Sequence, residues 1–143
     1  MLRLLNAARL GAGFALRRPG EALLVARMAA CVASFSALAR WLPLPRSVAL
    51  LSPKVRRTEG GKASRVSDER VAELLDALLA LDVLCFTPTC WKRAVVLHRQ
   101  LALRGRATRV VFGVRRGTDD PLAGHAWLEA EGAPVFEPRA PEY

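Results

Sequence analysis

Nucleophilic chemistry in this sequence would depend on three cysteines and two histidines. Cys90 stands where a helix is predicted to begin, directly after Thr89. The amino terminus of a helix stabilises negative charge, so a thiol there is favoured as the reactive thiolate. Cys31 and Cys85 lie among apolar residues, which is typical of unreactive packing cysteines. A cysteine at a helix start can also be structural, so Cys90 is a candidate nucleophile only if a base lies nearby.

The base is predicted to be His125. His98 lies on the same predicted helix as Cys90, about 12 Å further along at about 1.5 Å of rise per residue, which is beyond hydrogen-bond reach.

His125 begins a predicted strand in which His125, Trp127 and Glu129 share one face. A half-buried strand histidine satisfied by hydrogen bonds is the alternative interpretation. A hairpin turning at Gly132 would return the chain beside His125 and bring Glu137 there as the acid that holds the imidazole.

Metal and cofactor chemistry are not predicted. Cys85, Cys90 and His98 include no C-x-x-C pair and no usual zinc-ligand spacing. The odd number of cysteines, irregularly spaced, also cannot supply the paired framework of a disulfide-stapled secreted domain. A reducing, cytoplasmic location is therefore expected.

The elements that would carry these residues form an α+β arrangement. Ser67 is a predicted helix cap, and Thr89 is predicted to cap the helix that begins at Cys90. β-branched and aromatic runs after Gly105 predict strands, with a turn at residues 131–134. The predicted order is a helix from Ser67 to near Leu81, a helix from about Cys90 to Leu103, strands Thr108–Val114 and His125–Ala130, and a third strand from Val135.

The N-terminal segment has a different composition. Residues 1–57 contain ten basic residues and one acid, so they account for the whole net charge of +9. The pattern predicts one or two amphipathic helices, broken at Arg18-Pro19-Gly20, the second of which ends before Pro43. The second helix has an apolar stripe formed by Leu24, Met28, Cys31, Phe35, Leu38 and Leu42. That stripe could dock on the protein's own core, or it could bind a partner or an anionic membrane.

A membrane span and an export signal are not expected in this segment. Arg27 and Arg40 leave only the stretch between Met28 and Ala39 free of charge, whereas a transmembrane helix needs about 20 apolar residues. The first twenty residues lack the uninterrupted apolar run of a signal peptide. The predicted organisation is a basic helical segment at 1–57, a linker at 58–66 and a core at 67–143.

Four short stretches together carry a family resemblance. They are Cys90-Trp91-Lys92-Arg93-Ala94, Leu103-Arg104-Gly105, Val110-Val111-Phe112-Gly113-Val114-Arg115 and Gly124-His125-Ala126-Trp127-Leu128-Glu129. Over about residues 67–138 the chain resembles the transglutaminase-like cysteine peptidase of lasso-peptide biosynthesis in its short stand-alone form. The resemblance implies a papain-like or transglutaminase-like core, with a catalytic helix packed on a small antiparallel sheet.

The resemblance also implies roles and partners. Cys90 would be the nucleophile, His125 the base and Glu137 the acid, at a position where the family usually has Asp. The family removes the leader from a ribosomally made precursor peptide, with a separate leader-recognition protein, and a cyclase then closes the freed core peptide. The N-terminal helices would offer a docking face to the recognition protein or its anionic peptide.

Two other functions remain open at this point. One is a true transglutaminase, which would use an amine where the peptidase uses water. The other is a non-catalytic basic module that binds nucleic acid or membrane through residues 1–57. The expectation from the resemblance is that nucleic acid is not a partner.

Overall fold

The chain forms four helices and a three-stranded antiparallel sheet in the part described by a computed structural model, residues 18–51, 66–115 and 123–137. The helices are α1 (Pro19–Trp41), α2 (Leu44–Leu51), α3 (Asp68–Leu79) and α4 (Cys90–Leu103). The strands are β1 (Arg109–Arg115), β2 (Ala123–Ala130) and β3 (Ala133–Val135). This confirms the predicted α+β class. Of the predicted linker at 58–66, only Val66 belongs to the described residues. The first seventeen residues, where an export signal was not expected, also lie outside the described residues.

One hydrophobic core joins α1, α3, α4 and β2. Its members are Met28, Cys31 and Val32 of α1, Val71, Ala72, Leu74, Leu75, Leu78 and Leu79 of α3, Val96, Leu97 and Leu101 of α4, and Leu128 of β2. The stripe predicted on α1 therefore packs against the protein's own core through its central residues. Burial of such side chains contributes roughly 1.5–3 kcal/mol each, so α1 is an integral part of the fold.

Helix α1 has 23 residues and is, by length and composition alone, apolar enough to cross a membrane. Three of its side chains, Met28, Val32 and Phe35, are fully buried within the protein. The same side chains cannot face lipid while they are packed in this core. The absence of a membrane span stays a prediction, which these packing contacts favour.

The caps of α3 and α4 differ. Ser67 precedes α3 as predicted, and its hydroxyl accepts a hydrogen bond from the Arg70 backbone N–H at 3.2 Å. Thr89 occupies the corresponding position before α4, yet within the described residues its side chain makes no capping hydrogen bond. The prediction that the Thr89 side chain caps this helix is therefore wrong. The predicted helix bounds Cys90–Leu103 are confirmed. Gly105, at φ +80, ends the helix as expected.

The order β1-β2-β3 and its register place β2 in the centre, with Gly113 opposite His125 and Val135 opposite Leu128. The turn between β2 and β3 was predicted over residues 131–134 but takes only Glu131 and Gly132. Both have positive φ, as a type I′ turn requires, so Ala133 already belongs to β3.

Helix α2 was not predicted, because Pro43-Leu44-Pro45 reads as a helix stop. Pro45 is instead the second residue of α2. Proline is tolerated there because the first N–H groups of a helix have no intrahelical acceptor.

Candidate active site

Cys90 is the first residue of α4 and is partly exposed. Because the Thr89 hydroxyl does not cap the helix, it does not use the first-turn N–H groups as partners. Those N–H groups and the positive end of the helix dipole therefore remain available to a negatively charged group at the start of α4. This is an environment that suits both a thiolate and the negative oxygen that develops during acyl transfer.

His125 lies on the central strand β2, against which α4 packs. Its side chain is half-buried, with 30% of its surface exposed. The imidazole stacks on the Trp127 indole with ring centres 6.0 Å apart and 16° between planes. Trp127 in turn donates its indole N–H to Glu129 at 3.1 Å. The three side chains share one face of the strand, as the alternation predicted, and the stacking restricts the orientation of the imidazole.

Glu137 approaches His125 directly. Its Oε2 lies 3.5 Å from His125 Nε2, and only 10% of the Glu137 side chain is exposed. The structure therefore brings together the predicted base and the predicted acid.

Backbone geometry at Phe136 makes this approach possible. In the β2–β3 register Leu128 faces Val135, and two more residues of ladder would place Glu137 opposite Ala126. Side chains alternate along a strand, so Glu137 would then point away from the His125 face. The ladder ends at Val135, and Phe136 adopts φ +60, a conformation that a bulky residue rarely takes. This strained residue redirects the chain at the position where the acid is needed.

Arg93 connects this pair to the helix that carries Cys90. Its Nη1 donates to Glu137 Oε1 at 3.0 Å, and its Nη2 donates to the Phe136 carbonyl at 2.7 Å. On its other side it holds Asp76 of α3 through Nε at 2.6 Å and Nη2 at 3.1 Å. Residues three apart share a helix face, so Arg93 lies one turn beyond Cys90 on the same side. His125, Glu137 and Arg93 thus form a continuous chain of contacts to the first turn of α4.

The electrostatics of Arg93 favour a permanently charged anchor. Burial draws the pKa of the Arg93 guanidinium down, but the hydrogen bonds and charge of Asp76 and the charge of Glu137 outweigh it, and the pKa is raised. Arg93 and Asp76 were not identified as site residues from the sequence. The three-residue spacing from Cys90 could have identified Arg93, whereas no sequence pattern points to Asp76, because its contact crosses between helices.

The other candidate residues have structural roles. Burial raises the pKa of the Cys31 thiol, which disfavours the reactive thiolate. His98 Nδ1 lies 2.9 Å from the Thr108 hydroxyl, and burial lowers the pKa of His98. Among residues 18–51, 66–115 and 123–137 no three His, Cys, Asp or Glu side chains are grouped to hold a metal ion.

Comparison with known families gives one match. The family described as the Transglutaminase-like superfamily matches residues 29–143. The chain belongs to the transglutaminase-like superfamily. Its members generally include cysteine peptidases and acyltransferases. No curated protein and no solved structure matches the chain. The superfamily match begins within α1, and the predicted boundaries at residues 57 and 66 stay a prediction.

Replacing Arg93 tests the link between the helix and the His–Glu pair. We expect Arg93→Leu to lower the free energy of unfolding by about 1–3 kcal/mol, chiefly because the largely buried Glu137 carboxylate loses a charged donor, whereas Asp76 is 48% exposed. We also expect any Cys90-dependent activity to fall by about tenfold or more, since Glu137 is no longer held. Urea unfolding and steady-state kinetics measure the two effects.

The matched control is Arg109→Leu, which removes an exposed arginine of β1 that is paired with Glu129 of β2. Arg109 is 71% exposed, so its loss should change stability by less than about 1 kcal/mol. Equal effects of the two substitutions would contradict the special position of Arg93.

Proposed function

We propose that this protein is a cysteine peptidase that removes the leader from a ribosomally made lasso-peptide precursor. The observation that carries the proposal is the contact chain from His125 through Glu137 and Arg93 to the first turn of the helix opened by Cys90. Membership of the transglutaminase-like superfamily supports cysteine-based acyl chemistry. The four motif stretches around Cys90 and His125 support the narrower choice of a lasso-peptide leader peptidase.

In the proposed reaction the Cys90 thiolate attacks the carbonyl carbon of the last leader residue. Glu137 contacts Nε2 of His125, so Nδ1 is the ring nitrogen that exchanges a proton with the thiol. The developing oxyanion accepts hydrogen bonds from first-turn N–H groups, including that of Cys90. When the peptide bond breaks, imidazolium His125 gives its proton to the departing amine, and the core peptide leaves with a free amino terminus.

The leader is then attached to Cys90 as a thioester. His125 takes a proton from a water molecule, whose oxygen attacks the thioester carbon. The carbon–sulfur bond breaks, the leader leaves with a free carboxylate, and the thiol is restored. Glu137 balances the positive charge on His125 in both halves of the reaction, while Arg93 holds Glu137 in place.

Mass spectrometry of the products tests this function. Wild-type protein is incubated with a candidate precursor and its separate leader-recognition protein. We expect two fragments whose summed mass exceeds that of the precursor by one water. Retention of the intact precursor would contradict the leader-peptidase function. A product that has lost ammonia and gained an amine cross-link would instead establish transglutaminase activity.

We propose that the leader-recognition protein docks beside Cys90, and that the freed core peptide passes to a separate cyclase in the cytoplasm. A groove of about 600 Å³ lies between the carboxyl half of α1 and the first turn of α4, and it is lined by Arg40, Leu84, Trp91 and Lys92 among others. The charged groove-lining residues within the described ranges are both basic, and of the two Arg40 is exposed whereas Lys92 is buried. Leu84 is 87% exposed at the groove, and Trp41, one residue from Arg40, is 86% exposed. Exposed apolar side chains with complementary charge are typical of binding surfaces.

Substitution of Trp41 tests the docking surface. We expect Trp41→Ser to weaken binding of the recognition protein by about tenfold or more, because exposed tryptophans are frequent binding hot spots. Isothermal titration calorimetry gives the affinity. Leu103→Ser is the control, since Leu103 is 60% exposed at the far end of α4. Unchanged affinity in Trp41→Ser would remove this surface from consideration. Deletion of residues 1–45 is a poorer test, because it takes away core side chains of α1.

A further inference from the structure

Lys92 is a buried lysine two residues beyond Cys90. Only 7% of its surface is exposed. Its Nζ donates to the Cys85 carbonyl at 3.1 Å and to the Thr87 hydroxyl at 2.6 Å, and it lies 5.5 Å from the centre of the Trp91 ring. A buried ammonium is costly unless it is hydrogen-bonded, so its two acceptors and the aromatic face together explain how it is tolerated.

Both acceptors belong to the segment that connects α3 to α4. Residues 82–89 of this segment have no helix or strand. Leu84 adopts φ +53 there, and Pro88 has no N–H to donate. Besides Lys92, Ser36 of α1 donates to the Cys85 carbonyl, at a longer 3.4 Å. The two hydrogen bonds of Lys92 are therefore shorter than the Ser36 hydrogen bond, and they hold this segment against the start of α4.

The start of α4 needs such a hold because its usual cap is missing. A capping side chain contributes about 1 kcal/mol to a helix start. Thr89 makes no capping bond, and its buried hydroxyl has no hydrogen-bond partner among the residues that the structure describes. A Thr89 cap would accept a hydrogen bond from the N–H of Trp91 or Lys92, in the same first turn whose N–H groups serve the proposed oxyanion site. Lys92 fixes the segment before Cys90 without using any of them.

We propose that Lys92 is a positioning residue for Cys90: its ammonium holds Cys85 and Thr87, and so fixes the turn that presents the Cys90 sulfur to His125. This inference rests on the proposed role of Cys90 as nucleophile and not on the identity of the peptide substrate. Lys92 itself is assigned no contact with substrate.

The test is the rate at which iodoacetamide alkylates Cys90 in the full chain, followed by peptide mass spectrometry. Lys92→Met removes the ammonium at similar length, and Thr87→Val removes one acceptor at similar shape. We expect Cys90 alkylation to slow by about tenfold in Lys92→Met and by less in Thr87→Val. In the double variant Cys90 alkylation should be no slower than in Lys92→Met, since both substitutions break the same Lys92–Thr87 hydrogen bond. Thr108→Val, which removes the hydrogen bond to His98 on the same helix, is the control and should leave the rate unchanged.

A loss of reactivity at Cys90, with Cys31 and Cys85 alkylated no more slowly than in the wild type and an unchanged melting temperature, supports the proposal. A Cys90 rate within about twofold of the wild type in folded Lys92→Met overturns it, as does additive slowing in the double variant. If Lys92→Met does not fold, Thr87→Val decides alone, because Thr87 is exposed and its replacement should leave the fold intact. The readout needs no precursor, so it stays informative even if the leader-peptidase function fails.

Discussion

Cys90→Ala should lower precursor cleavage by about 10⁴-fold or more, because loss of the nucleophile removes the covalent route entirely. The residual rate would come from substrate binding and from the first-turn N–H groups, which the substitution leaves in place. The alanine side chain is a good helix former, so α4 should keep its start at position 90. The measurement is single-turnover cleavage with the recognition protein present, together with circular dichroism.

Cys85→Ala is the matched control for this prediction. Cys85 lies five residues earlier, is also partly exposed, and contributes its backbone carbonyl to the Lys92 contact. That carbonyl survives the substitution, so cleavage should stay within about twofold of the wild type. Substantial cleavage by Cys90→Ala would contradict the proposed mechanism, whatever the behaviour of the control.

Glu137→Ala should lower cleavage by on the order of 10²- to 10⁴-fold. His125 would lose the carboxylate 3.5 Å from its Nε2, and with it the charge that balances the imidazolium form. Arg93 would also lose one of its two carboxylate partners. We therefore expect kcat to fall far more than KM changes, because the lost interaction is strongest when His125 is charged.

Two substitutions sharpen this second prediction. Glu129→Ala removes the carboxylate on β2 that accepts the Trp127 indole N–H, and it should reduce cleavage by less than about tenfold. Glu137→Asp keeps the charge but shortens the side chain, so it cannot reach both Arg93 and His125 without movement of the Phe136 turn. An activity of Glu137→Ala close to that of the wild type would remove Glu137 from the site.

The sequence was most informative where local rules decide the outcome. The bounds of α4 follow from Pro88 before it and Gly105 after it, and Cys90 falls at the helix start for the same reason. The alternation of β2 predicted that His125 and Trp127 share a face, and the stacked rings confirm it. These features depend on residues close in sequence, whose conformational preferences are strong.

The remaining features depend on contacts between distant parts of the chain. Arg93 of α4 binds Asp76 of α3 and also Glu137, which lies 44 residues further along the chain. No short sequence spacing indicates either partner. Thr89 has the right side chain for a cap, yet tertiary packing leaves its hydroxyl without that bond. The positive φ of Phe136 could not be predicted, because nothing about a phenylalanine favours that conformation.

The most direct test of Cys90 as nucleophile compares residual cleavage with the fraction of Cys90 that has been alkylated. Trypsin leaves Cys85 and Cys90 in one peptide, residues 71–92, so fragment ions between the two positions must assign the modification. We predict that cleavage falls in proportion to Cys90 modification and reaches zero when it is complete, whatever the state of Cys85. Full cleavage by protein whose Cys90 is completely alkylated would contradict the account.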